Sequence, residues 1–157
     1  FDSSSDIKPE PDNDDWNKPY FLVRENNELL AFGRLHTIAC QFMGQNYIIL
    51  GIATIVAIKK GQGYGTQIMQ AIGKYIDERG ETAVGFCNPK TSVFYKKCGF
   101  SILKGGVERF KCVDSNNAIV PHWAPHDDVL YIEGHDKLFE KMMENPTVRV
   151  TAFRAPW

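Results

Sequence analysis

An apolar strand that ends in a glycine-rich loop and passes straight into an amphipathic helix dominates residues 47–80. Tyr47 to Ile58 is apolar and β-branched, suited to a buried strand. Lys59-Lys60-Gly61-Gln62-Gly63-Tyr64-Gly65 follows. Ile68, Met69, Ile72, Tyr75 and Ile76 then recur at three- and four-residue spacing, one apolar stripe of a helix that Gly80 ends. This order of elements is a general anion-binding device. The free N–H groups of the first helical turn face the anion, the helix dipole favours its charge, and Gly lets the backbone come close.

Three ligand classes use such a loop. A nucleotide-triphosphate loop needs GxxxxGK followed by Ser or Thr, and the helix here starts Gly65-Thr66-Gln67 with no Lys. A dinucleotide fingerprint needs GxGxxG at the start of a βαβ unit; here the spacing is Gly61-x-Gly63-x-Gly65. The third ligand is the pyrophosphate of coenzyme A. A plain flexible turn is the remaining reading.

The elements around the loop narrow the choice. Tyr20 to Arg24 reads as a first strand, Glu25-Asn26-Asn27-Glu28 as a hairpin turn, Leu29 to Phe42 as a long second strand, and Met43-Gly44-Gln45-Asn46 as the next turn. Three consecutive antiparallel strands therefore precede the helix, which a βαβ nucleotide fold does not have. Downstream, Thr82 to Cys87 suits a short buried strand, Asn88 caps a short helix over Pro89 to Lys97, and Phe100 to Leu103 forms another strand. Residues 104 to 128 read as irregular, Val129 to Ile132 as a strand, Lys137 to Glu144 as a helix and Thr147 to Phe153 as a last strand.

Composition bounds the function classes. The 157 residues are 43% hydrophobic, enough to bury a core, so residues 16–157 read as a single domain. Phe1 to Asp15 carries six acidic side chains, three serines and two prolines, and is expected to be mobile or loosely docked. Eighteen Lys plus Arg against nineteen Asp plus Glu argue against a nucleic-acid binder, whose phosphate contacts need a basic face. No apolar run is long enough to span a membrane as a helix. Cys40, Cys87, Cys98 and Cys112 form no CxxC pair and read as buried reduced thiols, which points to a cytoplasmic location. Phe1 is not an initiator Met, so the native start stays open.

Two motifs carry a family resemblance over roughly Tyr20 to Leu103. Lys60-Gly61-Gln62-Gly63-Tyr64-Gly65 resembles the Arg/Gln-x-x-Gly-x-Gly/Ala loop of GNAT-superfamily N-acetyltransferases, with Lys60 in place of Arg or Gln and Ala57 where Pro is common. Asn88-Pro89-Lys90-Thr91-Ser92-Val93-Phe94-Tyr95-Lys96-Lys97-Cys98-Gly99-Phe100-Ser101 resembles the family's Asn…Ala-x-x-x-Tyr-x-x-x-Gly-Phe segment. The resemblance implies an α/β (α+β) fold, a central mixed antiparallel and parallel sheet flanked by helices, and acetyl-CoA as cosubstrate. It implies transfer of an acetyl group from a thioester directly to an amine.

In that fold the cofactor arm lies where the third and fourth strands splay. Ile55, Val56 and Ala57 are then the cofactor-side strand, pairing with amides of the arm. Lys60, Gln62, Gly63, Tyr64, Gly65 and Thr66 surround the pyrophosphate. Asn88, Phe94 and Tyr95 approach from the second motif. A strand N–H near Ile55 meets the developing oxyanion, and Tyr95 either protonates the leaving thiolate or is a core tyrosine. Relatives commonly place a Glu near positions 51 to 53; this strand has no carboxylate between Tyr47 and Ile58. The amine's proton then leaves through water, His36 or Glu133. His36, between Leu35 and Thr37, reads equally as a core histidine, and Glu133 as a solvated acid.

His122-x-x-x-His126 has metal-like spacing, but Pro121 and Pro125 break any helix that would align the imidazoles, so no metal site is expected. Asp127, Asp128 and the terminal Trp157, with Asp14-Asp15-Trp16, carry a further resemblance to aminoglycoside 2′-N-acetyltransferases. It implies a small-molecule amine substrate, cationic or aminoglycoside-like, held by Asp127, Asp128 and Trp157. Other acceptors compatible with the family are a protein or peptide amine, a polyamine or an amino acid. A non-catalytic acyl-CoA-binding module is the competing class, and a homodimer through the C-terminal strand is compatible with the family.

Overall fold

The computed structural model describes residues 9–12, 15–120 and 124–153. Strands β1 (Pro9–Asp12), β2 (Asp15–Glu25), β3 (Glu28–Phe42) and β4 (Gln45–Ala57) form an antiparallel meander. Asn26 and Asn27, both at positive φ (49° and 64°), make the tight turn whose twist matches the flanking strands. Helix α1 (Tyr64–Arg79) and strand β5 (Ala83–Cys87) follow, then helix α2 (Ser92–Lys97) and strand β6 (Ser101–Leu103). Strand β7 (Phe110–Val113), strand β8 (Asp128–Ile132), helix α3 (Leu138–Glu144) and strand β9 (Val150–Phe153) complete the chain. The main sheet runs β1-β2-β3-β4-β5-β8-β6, with β4 and β5 parallel, and β9 bridges β3 and β7.

The two faces of the sheet bury separate cores. On one, Ile68, Met69, Ile72 and Ile76 of α1 pack against Phe21, Val23, Leu35, Leu50 and Ile52. Gly33 permits that close approach, since a Cβ there would stand 2.8 Å from Ile68 and 2.9 Å from Ile55. On the other, Ile38, Cys40, Tyr47, Ile49 and Val84 meet Phe110, Phe139, Met142 and Val150. Gly80 ends α1 in the left-handed region, its N–H donating to the Ile76 carbonyl at 3.0 Å.

Two local expectations need correction. Residues 104–128 are not wholly irregular: a 3-10 turn spans Gly106–Arg109, and β7 runs parallel to β9 from Phe110↔Val150 to Val113↔Phe153. The Gly and Asn residues flanking this four-residue strand hid its alternation. The second short helix starts at Ser92, not Pro89. Asn88 does not cap it; its Oδ1 accepts the Lys90 N–H at 2.9 Å in a turn that precedes the helix. Pro9–Asp12 pairs along β2, with Glu10 opposite Tyr20.

Candidate active site

The parallel pairing of β4 with β5 is short. Leu50 lies opposite Ala83 and Gly51 opposite Val84, and the Leu50 N–H reaches the Thr82 carbonyl at 2.9 Å. Beyond that point, among the described residues, β5 pairs only with β8, Gly85 to Leu130 and Cys87 to Asp128. Among the described residues, the edge of β4 from Ile52 to Ala57 therefore has no strand partner on the β5 side. The two strands open into a V whose apex is Gly51.

A bulge shapes the open arm. The β3–β4 register runs Phe32↔Val56 and then Arg34↔Ala53, so β4 holds one residue more than β3 across the interval. Thr54 sits there at φ 53°, a conformation uncommon for a β-branched residue. The bulge turns the backbone of Thr54 and Ile55 away from regular pairing beside the gap. Ile55 and Ala57 project onto the α1 side, where they join the core, and Val56 faces the other way, 40% exposed. An open edge of N–H and C=O groups can accept an extended, amide-bearing chain as an added strand.

The arm leads into the glycine loop. Gly61 and Gly63 have φ of 75° and 81°, and Gly63 occupies the cap position of α1 with no side-chain cap bond. The Gln67 N–H donates to the Gly63 carbonyl at 3.0 Å, so Tyr64, Gly65 and Thr66 are the first-turn residues whose N–H groups precede the helical bonding pattern. No acidic side chain stands in that turn. Tyr64 packs into the core, while Lys60 and Gln62 are exposed beside the turn. The arrangement suits a phosphate-type anion.

Helix α2 docks beside the same turn. A Cβ on Gly65 would lie 3.5 Å from the Phe94 ring. Phe94 meets Tyr95 edge-on at 5.1 Å. Tyr95 is half-buried; desolvation, and then the neighbouring Cys87 and Cys98, push its phenol above the ordinary tyrosine value. The hydroxyl thus holds its proton through neutral pH, as a proton donor must. Burial likewise pushes the Cys87 thiol up to about 11 and the Cys40 thiol up to about 12, leaving both inert.

The remaining predicted residues divide. His36 is buried on the face of β3 away from α1, directly opposite Gly51 at the apex of the V. Glu133 does not stand as a free base. Its carboxylate accepts the Phe139 N–H at 3.2 Å and the Glu140 N–H at 2.7 Å, which makes it a cap of α3. Asp128 does not face a substrate either. It is 2% exposed, accepting from the Gly105 N–H at 2.8 Å and from Lys104 Nζ at 3.1 Å. Asp127 is half-buried, fixed through its backbone to Ala124 and Val107. Trp157, Asp14 and His122 lie outside the described residues; His126 sits 3.5 Å from Glu108.

Two features were missed by sequence reasoning. Lys104 Nζ also reaches Ser92 Oγ at 3.0 Å, and Ser92 donates to the Pro89 carbonyl at 2.8 Å. Asp128, Lys104 and Ser92 therefore anchor the start of α2, the helix that bears Tyr95. Nothing in the spacing of these residues marks them as partners. The second is Arg34, opposite Ala53 beside the bulge, whose basic residue type on a predicted buried strand was the available signal.

This fold and site define the class: a meander, a V-shaped opening at a β4 bulge, and a glycine loop capping the following helix. The model of the acetyltransferase (GNAT) family matches residues 1–100, and the chain belongs to that family. Among solved structures it is similar to the GNAT family N-acetyltransferase YhbS from Escherichia coli in complex with CoA. That match has 13% identity and a TM-score of 0.55, covering 87% of this chain and 67% of that one. Escherichia coli ElaA is similar at 16% identity and a TM-score of 0.51, covering 78% of this chain and 74% of its own. A search of curated protein sequences gives no match. Among the described residues no helix is long and apolar enough to cross a membrane.

Proposed function

We propose that the protein is an acetyl-CoA-dependent N-acetyltransferase that moves the acetyl group directly to the primary amine of a small acceptor. The observation that carries this reading is the continuity of the open β4 edge with the uncapped first turn of α1. A ligand with an extended amide arm and a pyrophosphate matches that surface along its whole length. The complex of YhbS with CoA supports the same choice of cosubstrate. Acetyl-CoA supplies a thioester, activated for attack by an amine.

The chain's own residues then have distinct tasks. N–H groups of Gly65 and Thr66 hold the phosphates, and Ile55 and Ala57 offer backbone pairing to the arm. The bulge at Thr54–Ile55 aims strand N–H groups at the position where oxygen charge develops. As the C–N bond forms and the C–S bond breaks, the Tyr95 hydroxyl gives its proton to the departing sulfur. The attacking amine's proton leaves to water or to His36, which lies opposite Gly51 at the apex of the V.

A polycationic, aminoglycoside-like acceptor is the weaker version of this reading. Of its expected acids, Asp128 is committed to Lys104 and Gly105, which leaves Asp127 on the described surface. Thiol release from acetyl-CoA, measured against a panel of primary amines, tests the proposal. Amine-dependent release is expected; acetyl-CoA binding with no release for any amine contradicts transfer.

A further inference from the structure

Arg34 stands beside the apex of the V with a buried guanidinium Nε–H that meets no acceptor among the described residues. It lies opposite Ala53 on β4 and opposite Tyr20 on β2. Its side chain projects from the face away from α1, because the adjoining Gly33 and Leu35 turn toward the α1 core. On that face it is two residues from His36 and about 5 Å, one strand spacing, from the strand that lines the opening. Ala53 and Gly51, across from these two residues, carry little or no side chain on that face.

The Arg34 Nε–H is buried, and among the described residues it meets no acceptor. A guanidinium cannot escape that cost by losing its proton, and an unmet buried donor is unfavourable. No Asp or Glu occurs between Leu29 and Phe42 or between Tyr47 and Ile58, so β3 and β4 supply no carboxylate there. Glycine loop and α1 approach the opening from the other face. An acceptor that meets the acyl group from the face away from α1 lies beside Arg34 and His36.

Resting on the function proposed above, we propose that the acceptor is an amine that also carries a carboxylate, an amino-acid-like compound whose carboxylate pairs with Arg34. A planar carboxylate matches the guanidinium fork, satisfies the buried Nε–H and leaves the amine free to face the gap. The same charge repels polyamines and aminoglycosides.

The test uses matched amines with and without the carboxylate: lysine and cadaverine, ornithine and putrescine, tyrosine and tyramine. Thiol release from acetyl-CoA gives kcat/KM for each, and isothermal titration gives the acetyl-CoA affinity of every variant. Wild type is expected to favour the carboxylated member of at least one pair by about tenfold to a hundredfold. Arg34→Met removes that preference by raising KM for the carboxylated member. Arg34→Lys, which keeps charge but not the fork, falls between and carries the test if Arg34→Met fails to bind acetyl-CoA.

Preference for the decarboxylated members overturns the proposal. So does transfer to other amines but to no carboxylated one, or a carboxylate preference that survives both substitutions. These outcomes leave the acetyltransferase reading standing. Wild-type protein that does not bind acetyl-CoA overturns both.

Discussion

The imidazole of His36 fills the space that a side chain at position 51 would occupy. The two residues are directly opposed in the β3–β4 pairing, and a Cβ on Gly51 would stand 2.7 Å from both Cε1 and Nε2 of the ring. The absence of a strand carboxylate near positions 51 to 53 thus has a steric counterpart on the neighbouring strand. Glycine here is required by close approach.

Gly51→Ala is expected to destabilise the fold by about 1–3 kcal/mol through overpacking against His36 and Ile38. Urea unfolding of the single variants and of Gly51→Ala with His36→Ala measures the coupling. The account predicts that removing the ring recovers part of the loss. Strict additivity, within about 0.5 kcal/mol, would show that the ring is not the obstacle.

Tyr95→Phe is expected to lower kcat by about 10²–10⁴-fold while acetyl-CoA affinity stays nearly intact. Burial, then Cys87 and Cys98, hold the phenol above its ordinary value of about 10. The protonated form is the active one, so its contribution persists through neutral pH and fades only as pH rises through the raised value. Removal of the hydroxyl should abolish that alkaline fall in rate. Affinity that collapses in step with turnover would make Tyr95 structural instead.

Asp128 links stability to the position of α2. Burial pushes its carboxyl up, but the Gly105 N–H, Lys104 and Ser92 outweigh this and hold it below the usual carboxylate range. A depressed carboxyl stabilises the fold above its unfolded value of about 3.9, and the contribution is lost as pH falls through the folded value. Asp128→Ala is expected to cost about 2–4 kcal/mol at neutral pH, because it strands the Gly105 N–H and one partner of Lys104. Against Asp128→Asn, the advantage of wild type should shrink below about pH 4. A stability difference that is constant from neutral to strongly acid pH would contradict the assignment.

Local periodicity made the three-strand meander, α1 and the glycine loop readable, because each rests on spacing within one segment. The place of Tyr95 on a short helix was readable from a contiguous motif. What the sequence hid depends on registers between segments. The splay of β4 from β5 was implied by the family resemblance, but its apex at Gly51 follows from a pairing only two residues long, and the Thr54 bulge from a one-residue mismatch with β3. Glu133 and Asp128 carry acidic side chains that look available in sequence. Only the fold reveals the helix start that Glu133 caps and the Gly105 N–H that holds Asp128.

Isothermal titration of wild type and Gly63→Glu with acetyl-CoA tests the central claim most directly. Gly63 holds φ 81° at the start of α1, where a larger residue is strained and a carboxylate would face the phosphates. The account predicts micromolar binding to wild type and its loss in Gly63→Glu, with both proteins folded by circular dichroism. No binding to wild type, or equal affinity in the two, would mean that the glycine loop is only a turn.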